Sequence, residues 1–98
     1  MHARVATFEG GEVDRVRQTI ERINQEAQSG PPENLPSIGL MILHHPDPSK
    51  VMAISLFETE EDLRAGDAIL SAMDPPDPGG MGQRTAVEMY EVPLKIDA

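Results

Sequence analysis

Two apolar runs in the middle of the chain, Ile38–Leu43 (IGLMIL) and Val51–Phe57 (VMAISLF), constrain its fold more than any other feature. Each is too short for a helix and is bounded by turn residues. The pair is read as a β-hairpin joined by His44-His45-Pro46-Asp47-Pro48-Ser49-Lys50. Neither run alternates apolar with polar residues. A strand covered on one face alternates, whereas a strand covered on both faces need not. The sheet that holds these strands therefore needs cover on both of its faces.

Proline marks the borders of the remaining elements. Eight of the nine prolines fall in three stretches, Ser29–Ser37, Pro46–Ser49 and Asp74–Gly82. Such clusters fix φ and remove donors, so they suit neither a helix interior nor a central strand. Before the first cluster, Ala3–Glu9 (ARVATFE) is a short strand closed by Gly10-Gly11. A helical pattern then runs from about Glu12 to Gln28. Its apolar residues Val13, Val16, Ile20, Ile23 and Ala27 occupy an arc of only about 80° at 100° per residue. After the hairpin, Thr59 is a good N-cap, and Glu60, Glu61 and Asp62 place negative charge where the helix dipole favours it. Thr59-x-x-Asp62 approximates a capping box. Leu63, Gly66, Ile69, Leu70 and Met73 form the apolar face of this second helix, and Asp74-Pro75 stops it. Thr85–Val92 (TAVEMYEV) is a fourth strand, ended by Pro93.

The order is strand, helix, strand, strand, helix, strand. That is the α+β, ferredoxin-like βαββαβ plan, an antiparallel four-stranded sheet with two helices on one face. Two helices cover one face and leave nothing for the other. A large apolar sheet face left in water is an association site. The expectation is a homodimer in which two sheets pack face to face.

Composition narrows the function classes. At about 100–200 residues per domain, 98 residues form one domain, 1–98, with a modest core. The net charge of −9 argues against a nucleic-acid backbone or an anionic membrane surface as partner. No apolar run spans a membrane, and no basic region followed by an apolar one opens the chain, so a cytoplasmic protein is expected. With no cysteine there are no disulfides, thiolate metal sites or cysteine nucleophiles. One Tyr, two Phe and no Trp leave little stacking surface.

Phe57-Glu58-Thr59-Glu60-Glu61-Asp62-Leu63-Arg64-Ala65 resembles the strand-to-helix junction of the antibiotic biosynthesis monooxygenase-like family, small dimeric α+β barrel proteins. Val87–Val92 (VEMYEV) is similar to their closing strand. The resemblance implies one of several activities, since the family includes cofactor-independent oxygenases of aromatic polyketides, haem-degrading enzymes and proteins without known activity. The haem-degrading branch uses an Asn on the first strand and a Trp and a His on the second helix. The corresponding positions here are Thr7, Gly66 and one near Pro76. All three ligand-handling residues are absent, so that mechanism is not implied.

Individual residues carry competing readings. His44-His45 with Asp47 offers imidazole and carboxylate donors for a transition metal. Adjacent strand residues point to opposite faces, however, and His2 is expected in a loose terminus, so the pair is read as the mouth of a solvated hairpin loop. Gly79-Gly80-Met81-Gly82 follows a helix and precedes a strand, the reverse of a phosphate-cradling order, and is read as a connection. The acidic run Glu58–Asp62 is read as capping rather than acid–base machinery. Met41, Met52, Met73 and Met89 are core or the wall of an adaptable pocket. Gly66 either lets the helix pack closer or leaves ligand space. Tyr90 and Arg84 could orient a phenol or carboxylate, although Tyr90 also suits an interface or core and Arg84 a solvated strand start. No Ser/His/Asp spacing is visible.

An apolar cavity between sheet and helices is expected near Thr7, Phe57, Gly66 and Tyr90. The function expected from the resemblance is a cofactor-independent monooxygenase of aromatic or polyketide-like compounds. Alternatives are a non-catalytic dimer that binds a small apolar or aromatic ligand, and an accessory subunit of a biosynthetic assembly. No cofactor, metal, nucleic acid or membrane enters any of these readings, and no residue is assigned a catalytic role.

Overall fold

The computed structural model describes residues 1–28, 30, 34–46, 48–72 and 80–97. Six elements follow in order: β1 (His2–Gly10), α1 (Val13–Ala27), β2 (Gly39–Pro46), β3 (Ser49–Phe57), α2 (Glu60–Ala72) and β4 (Gly82–Glu91). This is the βαββαβ order expected from the sequence. The strands form one antiparallel sheet ordered β2-β3-β1-β4, so β1 and β3 are central. The two helices lie on one face of it.

The register sorts side chains between two faces. Cross-strand partners share a face, and neighbours along a strand alternate. His2, Arg4, Ala6 and Phe8 of β1 pair with Phe57, Ser55, Ala53 and Val51 of β3. Phe57 lies against Gly66 of α2, and Arg4 bonds to Asp67 of α2, which identifies this as the helix face. Val5, Thr7, Ile54 and Met52 belong to the opposite, open face, with Met41 and Leu43 of β2 and Tyr90 of β4 beside them.

Several boundaries shift for physical reasons. The hairpin ladder continues through His44 and His45 to the pair Pro46–Ser49, so both histidines are strand residues and not part of a wide loop. His2 pairs with Phe57 and Glu91 and is held in the sheet rather than in a loose terminus. β4 begins at Gly82, three residues before the expected start at Thr85. A bulge makes this possible: Thr7 pairs with Ala86 and Phe8 with Arg84, leaving Thr85 as the extra residue. Gly82 has φ of +96°, and a Cβ there would run into the backbone of Glu9 and Gly11.

The helices are built as their patterns require. The Asp62 N–H donates to Thr59 Oγ1 at 3.0 Å, and the Leu63 N–H to the Thr59 carbonyl at 3.0 Å, so the N-cap forms as expected. Val16 of α1 is fully buried, and Thr19 joins it on the same face. The Thr19 hydroxyl is satisfied by the Arg15 carbonyl one turn back, at 2.9 Å. Phe57, Val51 and Val16 are the largest fully buried side chains, and Leu63 of α2 is buried with them in the core. Gly66 makes that packing possible, because a Cβ at this position would overlap Cε1 and Cζ of Phe57.

Gly66→Ala tests this contact. Alanine gains about 1 kcal/mol of helix propensity, and overpacking a core costs about 1–3 kcal/mol. The substitution is expected to destabilise the protein by about 1 kcal/mol net in urea unfolding. In a Phe57→Leu background the sign should reverse, since the ring that opposes the new methyl is gone.

Candidate functional site

The four residues expected around one cavity are divided by the sheet. Phe57 and Gly66 meet on the helix face, where the fully buried Phe57 ring fills the notch left by Gly66. Thr7 pairs with Met52 and Tyr90 with Ala3, which places both on the open face. The expectation of one cavity shared by all four is corrected accordingly. Of the two readings of Gly66, the close-packed one is what the structure shows.

The polar cluster that the structure brings together is Arg4, Asp67 and Ser71. β1 carries Arg4 onto the helix face, where it is only 5% exposed. Its Nε donates to Asp67 Oδ1 at 2.8 Å and its Nη2 to Ser71 Oγ at 3.3 Å. The Ser71 hydroxyl in turn donates to Asp67 Oδ1 at 3.5 Å. Asp67 and Ser71 lie one turn apart on α2, so one guanidinium engages both. Ser55 of β3 and Met89 of β4 are the register partners of Arg4 on either side. Sequence analysis missed this cluster. Its signal was an arginine between the apolar residues Ala3 and Val5 of the first strand, with Asp67 and Ser71 interrupting the apolar side of the second helix.

His44 and His45 point to opposite faces, as strand geometry demands. His44 pairs with Val51 on the helix face, and its Nε2 is buried without a hydrogen-bond partner, as is the Oγ of Ser49. His45 pairs with Lys50, and its Nδ1 lies 3.2 Å from the Pro48 carbonyl. Asp47 lies outside the described residues. Among the described residues no group of three or more acidic or imidazole side chains is gathered to hold a metal.

The other candidates are surface features. Glu60 pairs with Arg64 one turn on, and Glu58–Glu61 are exposed around the capped helix start. Arg84 is exposed beside the β4 bulge. Met41 and Met89 are each 49% exposed rather than core, because Met41 stands on the open face and Met89 lies on an edge strand. Met73, Pro76 and Gly79 lie outside the described residues. A concavity of about 320 Å³ near Glu9, His45, Ser49 and Lys50 is shallow. One of about 420 Å³ is a trough among long polar side chains of α1, including Arg17 and Glu21.

Tyr90 stands 49% exposed on the open face. Its hydrogen bond with Glu88, followed by partial burial and the negative charge of Glu88, holds its phenol above the ordinary value.

These features define an α+β protein of ferredoxin-like topology with a buried arginine between its sheet and second helix, and no helix long and apolar enough to cross a membrane among the described residues. No protein-family model matches the chain, and no curated protein matches its sequence. Among solved structures, it is similar to a candidate antibiotic biosynthesis monooxygenase from Deinococcus radiodurans, with 13% identity and a TM-score of 0.61 over 100% of this chain and 98% of that one. It is also similar to a MhuD variant with two manganese protoporphyrin IX molecules bound per active site. That likeness has 19% identity and a TM-score of 0.56 over 99% and 98% of the two chains. The chain thus has the fold of the antibiotic biosynthesis monooxygenase-like proteins along its whole length.

The residues present do not fit a haem held in the manner of the haem-degrading branch. Phe57 occupies the space at Gly66, and Thr7 faces away from the helices. The chain's three histidines all lie on strands, with none on α2. His44 is aligned with Val51, six residues along β3 from Phe57, or about 20 Å.

Two measurements probe the site. Asp67→Ala leaves a buried guanidinium without its carboxylate and should cost about 3 kcal/mol, the lower end for a broken buried pair because Asp67 is partly solvated. The double variant Arg4→Met/Asp67→Leu should recover most of that loss in chemical denaturation. Tyr90, the sole tyrosine in a chain without tryptophan, gives a clean ultraviolet titration. Its phenol should ionise above the ordinary value in the native protein, and Glu88→Gln should bring the midpoint down.

Proposed function

We propose that the chain works as a homodimer, its two open sheet faces packed together, and acts on a small aromatic or polyketide-like molecule as a cofactor-independent monooxygenase. The observation that carries the dimer is the open face itself. Met41, Leu43 and Tyr90 are each nearly half exposed there, around the more central Ile54, Leu56 and Met52. A face of this kind in water is an interface. The monooxygenase reading is supported by fold likeness to the Deinococcus radiodurans protein, which is an analogy of fold and not of site. The chemistry balances without an outside reductant: a methylene activated by flanking aromatic rings and dioxygen give a carbonyl and water. The protein's part would be to exclude water and hold the substrate anion.

A second reading, a non-catalytic ligand-binding dimer or accessory subunit, is favoured by one observation. The notch at Gly66, where a ligand could lie beneath α2, is filled by the protein's own Phe57.

The test combines native mass spectrometry with oxygen uptake. A dimer is expected, and Leu43→Lys, which puts a charge on the open face, should shift it to monomer. Oxygen consumption with a panel of hydroxylated aromatics that carry such a ring-flanked methylene, for example hydroxyanthrones, is expected to yield the matching carbonyl product. A protein that binds members of the panel yet consumes no oxygen would make the non-catalytic reading correct. A wild-type monomer would overturn the dimer.

A further inference from the structure

We infer that residues 92–97, which follow β4, dock along the free edge of β2 in a second copy of the chain, so that each copy covers an edge of the other. The inference rests on the homodimer proposed above and adds a second surface to it, separate from the sheet faces.

Two features of one chain find no counterpart within it. The first is the segment itself. The Val92 N–H donates to the Met1 carbonyl at 2.9 Å, which carries the pairing with β1 one step past β4. Pro93 has no N–H with which to continue it. Beyond it, Leu94 and Ile96 are 73% and 79% exposed, the most exposed large apolar side chains among the described residues. Tyr90, Val92, Leu94 and Ile96 hold alternate positions, with Glu91, Pro93, Lys95 and Asp97 between them. That is the pattern of a strand covered on one face. Its apolar positions continue that of Tyr90 on the open face.

The second feature is the outer edge of β2. Among the described residues β2 pairs with β3 alone, so its other edge is free. Such edges are ordinarily guarded by lysine, proline, a bulge or shortness. Residues 38–43 (IGLMIL) hold no lysine or proline, the ladder with β3 runs without a bulge, and β2 is eight residues long. Ile38, Leu40, Met41 and Leu43 are each about half exposed.

Segment and edge cannot meet inside one chain. The order β2-β3-β1-β4 sets β2 and β4 at opposite edges, three spacings of about 4.8 Å apart, or about 14 Å. Residues 92–97 reach about 20 Å when extended, so crossing the end of the sheet would use most of the segment before it reached β2. Two copies related by a two-fold axis can make the contact reciprocally. Charge permits it as well. Lys95 Nζ lies 2.6 Å from Asp97 Oδ1, so the segment is neutral, and β2 carries no acidic residue. The contact thereby avoids the self-repulsion of a chain with net charge −9. Leu94 and Ile96 would lie beside Met41 and Leu43, on the face that the dimer buries.

Photocrosslinking and native mass spectrometry test this. With the photoreactive residue benzoylphenylalanine in place of Ile96, irradiation is expected to give a covalent dimer joined to residues 38–43 of the other copy. A dimer joined elsewhere, a link only within one chain, or no link would overturn the inference. Leu94→Asp/Ile96→Asp changes two exposed side chains and should leave each chain folded. It is expected to weaken the dimer about tenfold or more, as the loss of two apolar contacts would. Hydrogen exchange at the β2 amides should rise with it. A dimer of unchanged strength with equally protected β2 amides would overturn the inference. A wild-type monomer would overturn the face-to-face dimer and this contact together. A wild-type dimer that Leu43→Lys disrupts and Leu94→Asp/Ile96→Asp does not would overturn this contact alone.

Discussion

β1 lies between β3 and β4, and its pairing register assigns the central side chains to one face or the other. The partners His2↔Phe57 and Arg4↔Ser55 send Arg4 towards α2, while the same ladder turns Val5 and Thr7 to the open side. A slip of one residue would exchange the two sets. It would carry an arginine onto an apolar sheet face and leave Asp67 without its partner. The bulge at Thr85 matters for the same reason, because it lets β4 pair along the length of β1 while Met89 and Tyr90 keep their faces.

On the helix side, packing and polarity are arranged in sequence along α2. Leu63 and Gly66 are buried, and Gly66 gives up its own side chain so that the Phe57 ring can come up against the helix. The next residue, Asp67, begins the polar stretch that reaches Arg4, and Ser71 continues it. The helix is therefore seated by an aromatic contact and an ion pair side by side. These are different kinds of constraint. The first depends on volume and resists any added methyl group, while the second depends on charge and on the 2.8 Å geometry of its hydrogen bond.

Element order was readable from the sequence because periodicity, proline clusters and the Thr59 cap are local signals. The hairpin, both helices and the four strands follow from them, and only their ends moved. The candidate site was much less readable. Thr7, Phe57, Gly66 and Tyr90 lie on elements that the topology brings close, but element order does not say which face a residue takes. Two strands can be neighbours while their key side chains stand on opposite sides of the sheet, as Thr7 of β1 and Phe57 of β3 do. Arg4 was hidden for a related reason. In ARVATFE it looks like one polar residue of a short strand, and its meaning appears only when Asp67, sixty-three residues later, is brought to 2.8 Å.

The non-alternating runs of β2 and β3 meet different surroundings on the two faces of the sheet. On β3 the helix-face residues Val51, Ser55 and Phe57 are buried, while Met52, Ile54 and Leu56 on the other face remain partly exposed. Small residues of β1, Ala3, Val5 and Thr7, are buried on that same open face because larger side chains of β3 and β4 flank them. One chain alone thus covers the centre of the helix face, leaving Leu40 and Met89 exposed on the edge strands, and only the floor of the other face. The apolar rim left at Met41, Leu43 and Tyr90 calls for a covering surface of matching flatness, which a second copy of the same sheet, in the dimer proposed above, would supply by symmetry. Such a partner would cover the open face and leave the helix side of the sheet as it stands in one chain. The Arg4–Asp67 pair and the open face are thus separated by the sheet itself, and a substitution on one face can be used to test one without disturbing the other.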